Sequence, residues 1–139
     1  MSVAGTERVF VALGSNLGDR DAHLAAARSA LAGLPDTRLL GASAIEETAP
    51  LGGLAQPPYL NQMVLLETEL EPHQLLAALQ AIEAARGRER TGHWAPRTLD
   101  LDIVAFGDRR VHDLDLVIPH PELPRRDFWR RELSELARV

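Results

Sequence analysis

The chain of 139 residues contains no cysteine, so it can form no disulfide, no thiolate metal site and no thiol nucleophile. It contains no lysine either, and every one of its 15 basic side chains is arginine. Without lysine there is no G-x-x-x-x-G-K-[ST] loop, which excludes phosphate binding of the P-loop kind. Aromatic residues are scarce: three Phe, two Trp and one Tyr. No uninterrupted apolar run approaches the roughly 20 residues that span a bilayer, and no basic start leads into an apolar segment. The expectation is a cytoplasmic protein with no membrane partner. A net charge of −5 argues against nucleic acid as a partner held by phosphate neutralisation.

What is present fits a domain with its own core. With 45% hydrophobic and 25% charged residues, residues 1–139 read as a single domain that buries roughly two thirds of its extended surface. The charge is uneven. Residues 1–85 carry four Arg against ten acids, whereas residues 86–139 carry eleven Arg against ten acids. Planar guanidinium forks suited to bidentate phosphate contacts are therefore concentrated in the second part.

Val9–Leu13 is a short apolar run closed by Gly14 and reads as a buried strand. Asp19 caps a helix whose apolar positions Leu24, Ala27, Leu31 and Leu34 recur at helical spacing until Gly33 and Pro35. A second strand is predicted within Arg38–Thr48, followed by a Pro- and Gly-rich loop over Ala49–Pro58. Tyr59–Leu70 is strand-like, and Glu71-Pro72 opens a helix that ends near Arg86-Gly87. After a polar stretch over Arg88–Thr98 comes the strand Leu99–Phe106, a Gly107-Asp108 turn, a short hairpin and a C-terminal helical segment. The order β-α-β-β-α-β describes an α+β domain of the ferredoxin-like kind, with an antiparallel sheet and a C-terminal hairpin and helix extension.

Asp100 and Asp102 stand at i and i+2 on a strand, so both carboxylates project from one face. Two like charges held that close suit a hard divalent cation such as Mg²⁺, which takes one or two carboxylates and completes its shell with water and phosphate oxygens. The plainer alternative is a strand with a solvated polar face. Arg88, Arg90, Arg97 and Thr98 surround the pair in sequence and favour an anion-binding site. His120 sits between Pro119 and Pro121, which hold its backbone extended, and is either a surface loop residue or part of that site. Arg126, Phe128 and Trp129 follow. Tyr59 and Asn61 share a face by the same period of two, offering a stacking ring beside a bidentate amide, a pair suited to a planar heterocycle. Gln80 and Glu83 read as ordinary helix-surface residues, and Trp94 as an aromatic in an otherwise polar loop.

Five segments together resemble the 6-hydroxymethyl-7,8-dihydropterin pyrophosphokinase family nearly end to end. They are Ala12–Asp19 (ALGSNLGD), Glu47–Gly52 (ETAPLG), Gln56–Asn61 (QPPYLN), Trp94–Ile103 (WAPRTLDLDI) and Ile118–Pro121 with Arg126 and Phe128. The P-R-T-L-D-L-D-I run is the specific one. The resemblance implies a ferredoxin-like fold and transfer of the pyrophosphoryl group of ATP to the pterin alcohol, giving AMP and the pterin pyrophosphate for folate biosynthesis. It implies two Mg²⁺ ions held by Asp100 and Asp102, with Arg88 and Arg97 clamping phosphate oxygens. Gln80, Glu83, Arg88, Arg90, Trp94, Arg97, Ile103, His120 and Arg126 would form the ATP site. Thr48, Leu51, Tyr59, Asn61 and Phe128 would form the pterin site, and the protein would act as a monomer.

This chain departs from the family pattern at several positions. Arg90 or His93 stands in for a loop lysine, Asp115 and Val117 replace Arg and Thr near the nucleotide, and the closing segment Phe128–Leu133 is unusually polar. No residue reads as a dedicated general base. Two other readings of a ferredoxin-like sheet remain: a palm-type nucleotidyl transferase with paired Asp, and an RNA-recognition module, which needs a basic face with exposed aromatics.

Overall fold

The computed structural model describes residues 5–49, 57–87 and 98–139. Strand β1 (Glu7–Ser15) leads into helix α1 (Arg20–Ala32), strands β2 (Thr37–Ala42), β3 (Glu46–Thr48) and β4 (Tyr59–Thr68), helix α2 (Pro72–Ala85) and strand β5 (Asp100–Phe106). A hairpin of β6 (Val111–His112) and β7 (Val117–Ile118), a single 3-10 turn at Leu123–Arg125 and helix α3 (Asp127–Leu136) follow. The main sheet is antiparallel with order β2-β4-β1-β5, and β3 also pairs with β4. Setting β3 aside, this is the ferredoxin-like βαββαβ arrangement that the element order predicts.

Helices α1 and α2 start where local chemistry satisfies free N–H groups. Asp19 accepts from the Ala22 N–H at 3.1 Å, as expected of a capping residue. In α2, Pro72 occupies a first-turn position and the Gln74 side chain accepts from the Glu71 N–H at 2.7 Å. Leu24, Ala27 and Leu31 of α1 and Leu75 and Leu79 of α2 bury one stripe each against Val9, Val11, Leu13, Val64, Leu66, Leu101 and Ile103. The opposite face of the sheet meets α3: Ala12, Met63, Leu65 and Val104 pack against Trp129 and Leu136. With helices on both faces, β4 is buried at nearly every residue, and its middle, Met63 to Leu66, is apolar on both faces, with polar residues at either end.

The segment expected to hold one strand within Arg38–Thr48 forms two. The ladder to β4 slips between Leu39 and Gly41, and the Cα register changes again between Ala42↔Val64 and Glu46↔Asn61. Ser43 causes the break. Its N–H is donated to Met63 O at 2.8 Å and its hydroxyl accepts from the Met63 N–H at 2.9 Å, so the chain stays on β4 while Ala44 turns away. Gly41 lets α3 settle on β2, because a Cβ there would lie 3.3 Å from Val139 and 3.4 Å from Leu136. Among the described residues no helix is long and apolar enough to cross a membrane.

Leu31 is fully buried and Asp19 is exposed. Leu31→Ala is expected to lower the unfolding free energy by about 3 kcal/mol and Asp19→Ala by about 1 kcal/mol. Urea midpoints measure both, and equal effects would contradict this account of α1.

Candidate functional site

Strand β1 is paired on both sides, and its register builds the site. Gly14 lies opposite Asn61 of β4 and opposite Asp100 of β5, while Asn61 lies opposite Glu46 of β3. Directly opposed residues project from the same face of a sheet, so Glu46, Asn61, Gly14 and Asp100 form one row across four strands. The next row carries Met63, Ala12 and Asp102. Asp100 and Asp102 therefore share a face, as their spacing predicts, and it is the face that α3 covers further along. Both are partly exposed.

Gly14 forms the floor between the pairs. A Cβ there would meet Asn61 Oδ1 and Tyr59 Cδ1, each at 3.5 Å, so the missing side chain is what leaves space beside ring and amide. Asn61 is nearly buried and donates from Nδ2 to Thr48 Oγ1 at 2.6 Å. That bond orients the amide and leaves its oxygen directed at the gap above Gly14. Two residues not singled out for the site set the approach to Tyr59: Asn16 Nδ2 donates to Pro57 O at 3.4 Å, and Arg20 to Pro58 O at 2.9 Å. Arg20 also pairs with Glu47 at 3.1 Å. Their signal was the polar Ser15–Asp19 run, legible as a turn and a cap but not as a brace for a strand distant in sequence.

His120 reaches the carboxylates through an irregularity in β5. The β1–β5 ladder shifts at Phe10/Val11, and Val104 O accepts the His120 N–H at 2.9 Å. The ring accepts at Nδ1 from the Glu122 N–H at 3.0 Å, which puts the proton of the neutral imidazole on Nε2. Nε2 stands 3.6 Å from Asp102 Oδ1. Trp129 of α3 holds the ring edge-on with centroids 4.9 Å apart. Arg126 lies 4.4 Å above the Trp129 ring, and its Nε is shielded from solvent without an acceptor among the described residues. Ser15 Oγ and Thr98 Oγ1, at the same end of the sheet, are also buried without a partner among the described residues. Phe128 is half-buried against the α3-side core and meets Trp129 edge-on.

Glu83 corrects its reading as a surface acid. It falls in the buried stripe Pro72, Leu75, Leu79, Glu83 of α2 and is 3% exposed. Its Oε2 accepts the Leu101 N–H at 2.8 Å. β5 is the edge of the sheet, where alternate N–H groups have no strand to bond, and Glu83 supplies the missing acceptor between Asp100 and Asp102. Gln80 is exposed, as expected. Ile103 is 4% exposed in the core beneath α1 and α2, so its side chain lies across the sheet from the carboxylates and only its main chain is left for a ligand. Asp115, at a position where some members of the family carry Arg, faces His73 Nε2 at 3.3 Å, with Asp113 at 3.2 Å. These three exposed residues are the one His and Asp cluster with ligand geometry among the described residues. Their anchor His73 is ten residues from Glu83 along α2, about 15 Å from the β5 carboxylates' end of the helix. Leu51, Arg88, Arg90, Trp94 and Arg97 lie outside the described residues.

Fold and site together define a class: a ferredoxin-like α+β protein whose polar groups converge at one end of the sheet around a carboxylate pair. The family model for 7,8-dihydro-6-hydroxymethylpterin-pyrophosphokinase (HPPK) matches residues 10–138. The chain is 44% identical over 131 residues to the 2-amino-4-hydroxy-6-hydroxymethyldihydropteridine pyrophosphokinase of Pseudomonas aeruginosa, covering 94% of this chain and 81% of that protein. The proteins of the same name from Methylorubrum extorquens and Bacillus subtilis are 42% and 38% identical, over 94% and 92% of this chain and 82% and 77% of their own lengths. The chain belongs to the HPPK family.

Glu83→Gln keeps an acceptor for the Leu101 N–H and Glu83→Leu removes it. The Leu variant is expected to lose about 1–3 kcal/mol of stability and to exchange the Leu101 amide hydrogen faster than the Gln variant. Equal exchange in the two would remove Glu83 from the role of edge acceptor.

Proposed function

We propose that this protein is an ATP-dependent pyrophosphokinase that transfers the pyrophosphoryl group of ATP to 6-hydroxymethyl-7,8-dihydropterin in folate biosynthesis, acting as a single-domain cytoplasmic monomer. Family membership carries the reaction. The observation that carries the site assignment is the row Asn61, Gly14, Asp100, which sets a heterocycle-binding amide beside a carboxylate pair.

In the reaction the hydroxymethyl oxygen forms a bond to the β-phosphorus as the bond from that phosphorus to the α,β-bridging oxygen breaks and AMP leaves, the hydroxyl proton passing to water. Such a transfer depends mainly on alignment and on neutralising charge over phosphate oxygens. Asp100 and Asp102, two hard oxygen donors on one face, have the chemistry of Mg²⁺ ligands, and we assign them two ions. Bound Mg²⁺ would neutralise the triphosphate. His120, with its proton on Nε2, would donate to a phosphate oxygen beside Asp102. It is unsuited as the base, because Nδ1 already accepts the Glu122 N–H. Arg126, held by Trp129, would meet the same anion with Arg88, Arg90 and Arg97. Trp94, Gln80, the buried acceptor Glu83 and the Ile103 main chain complete the assigned nucleotide site. On the other side of Gly14, Tyr59 and Phe128 would stack on the pterin, Asn61 Oδ1 would accept from its amide edge, and Thr48 and Leu51 would line the pocket.

With ATP, Mg²⁺ and the pterin alcohol, the purified protein is expected to form AMP, whereas release of pyrophosphate would point to nucleotidyl transfer. Asp100→Ala and Asp102→Ala should each reduce turnover by about a thousandfold or more with little change in melting temperature, and a near wild-type rate in either would overturn the metal assignment. Tyr59→Ala should weaken pterin binding far more than ATP binding, and an unchanged pterin affinity would remove its stacking role.

A further inference from the structure

Helix α3 buries an acid that the reaction does not use. Glu132 is 2% exposed, between Trp129 and Leu136 on the face turned to the sheet. Both its carboxyl oxygens are shielded from solvent and meet no N–H or O–H donor among the described residues. Glu46 of β3, in the row of the sheet on the side that α3 covers, is the carboxyl beside this stretch of the helix, since the neighbouring residue Arg131 is bonded to it. Arg131 binds Glu46 at 2.8 Å from the solvent side, and Glu135 accepts the Ala44 N–H at 3.0 Å. Bonds from Arg131 and Glu135 thus tie α3 to residues 44–46 on either side of Glu132, and a third contact, between the carboxyls of Glu132 and Glu46, closes only if a proton lies between them.

We propose that Glu132, by donating a hydrogen bond to Glu46, is a positioning residue that locks α3 to β3 and so fixes the two walls of the pterin pocket relative to each other. The inference rests on the site assigned above. One wall is β3 and β4: Glu46 is opposite Asn61, and Thr48, two residues on, accepts from the Asn61 amide. The other is α3, which carries Phe128 one turn before Glu132. A shift between helix and strand moves Phe128 relative to Asn61, leaves Asp100 and Asp102 in place and reaches His120 and Arg126 through Trp129, so pterin binding responds more strongly than ATP binding.

The electrostatics agree. Burial first, and then the hydrogen bond and charge of Glu46, push the Glu132 carboxyl from 4.5 up to about 9; Glu135 adds to this and Arg131 opposes it. Burial acts to raise Glu46 as well, but the hydrogen bonds from Arg131 and Glu132 outweigh it and hold Glu46 below the usual carboxylate range. The facing residues Met63 and Leu65 of β4 are uncharged. Glu132 is therefore the proton donor and Glu46 the acceptor. Because the folded pKa is raised, the unfolded chain loses this proton at lower pH than the folded one. The stabilisation is complete below about 4.5, declines as pH rises, and the contact itself is lost as pH passes about 9.

The test compares wild type, Glu132→Gln, which keeps a donor, and Glu132→Leu, which keeps volume alone, by the KM for the pterin, the KM for ATP and kcat between about pH 7 and about pH 10. At about pH 7, Glu132→Leu should raise the pterin KM about tenfold, equivalent to about 1.4 kcal/mol, with a smaller rise in the ATP KM and with Glu132→Gln close to wild type. Towards about pH 10 the wild-type pterin KM should climb to that of the Leu variant while the Gln variant lags behind. Titration of the pterin itself affects all three proteins alike and cancels in the comparison. If Glu132→Leu does not fold, the pH profiles of wild type and Glu132→Gln decide. Superimposable profiles, or a folded Leu variant with the wild-type pterin KM, would overturn the inference. Absence of pterin-dependent AMP from the wild type would instead overturn the underlying site assignment, and this inference with it.

Discussion

Strand β1 is hydrogen-bonded along both edges, and everything at the functional end of the sheet follows from where its residues fall in those two ladders. Gly14 meets Asn61 on one side and Asp100 on the other, so an amide and a carboxylate from segments 39 residues apart stand in line over a position with no side chain. A slip of one residue in either ladder would turn that partner to the opposite face, into the core beneath α1 and α2. Leu13 and Val11, fully committed to that core, make such a slip costly. The packing that holds the fold is thus what holds the site in register.

The two ends of the carboxylate strand are secured differently. At Leu101 the free edge is closed by Glu83 from α2, and at Val104 a ladder irregularity supplies the carbonyl that anchors His120. Both devices use main-chain groups that an edge strand leaves over, and both act within two residues of Asp102. Helix α3 closes the opposite layer, but with a buried acid and an arginine cluster instead of an all-apolar stripe. Its docking is partly ionic and partly proton-bound, through Arg131, Glu132 and Glu135 against residues 44–46.

Local chemistry made much of this legible in sequence. Asp19 and Glu71-Pro72 mark helix starts because capping is decided within a turn, and the period of two places Asp100 with Asp102 and Tyr59 with Asn61 because a strand has no other choice. What joins the pairs is the register of β1 with two distant strands, and no local pattern encodes it. The division of Arg38–Thr48 into β2 and β3 depends on Ser43 meeting Met63, and the burial of Glu83 on an edge N–H from another strand. Charge misled in the second case, although the spacing 72, 75, 79, 83 already held the signal. Parity alone would have turned the Ile103 side chain away from Asp102. The polar closing segment was noticed for its composition, and its partner on β3 became visible only in three dimensions.

The central claim is that cation and heterocycle sites adjoin through Gly14, and paramagnetic broadening by Mn²⁺ in the presence of ATP measures it most directly. Adjacent strands lie about 4.8 Å apart, so an ion on Asp100 and Asp102 is expected to broaden the Gly14 amide and the Asn61 side-chain amide, roughly 5 and 10 Å away. Thr68, seven residues further along β4 and roughly 24 Å distant, should stay sharp. Broadening centred on His73, Asp113 and Asp115, with Gly14 and Asn61 unaffected, would contradict the account.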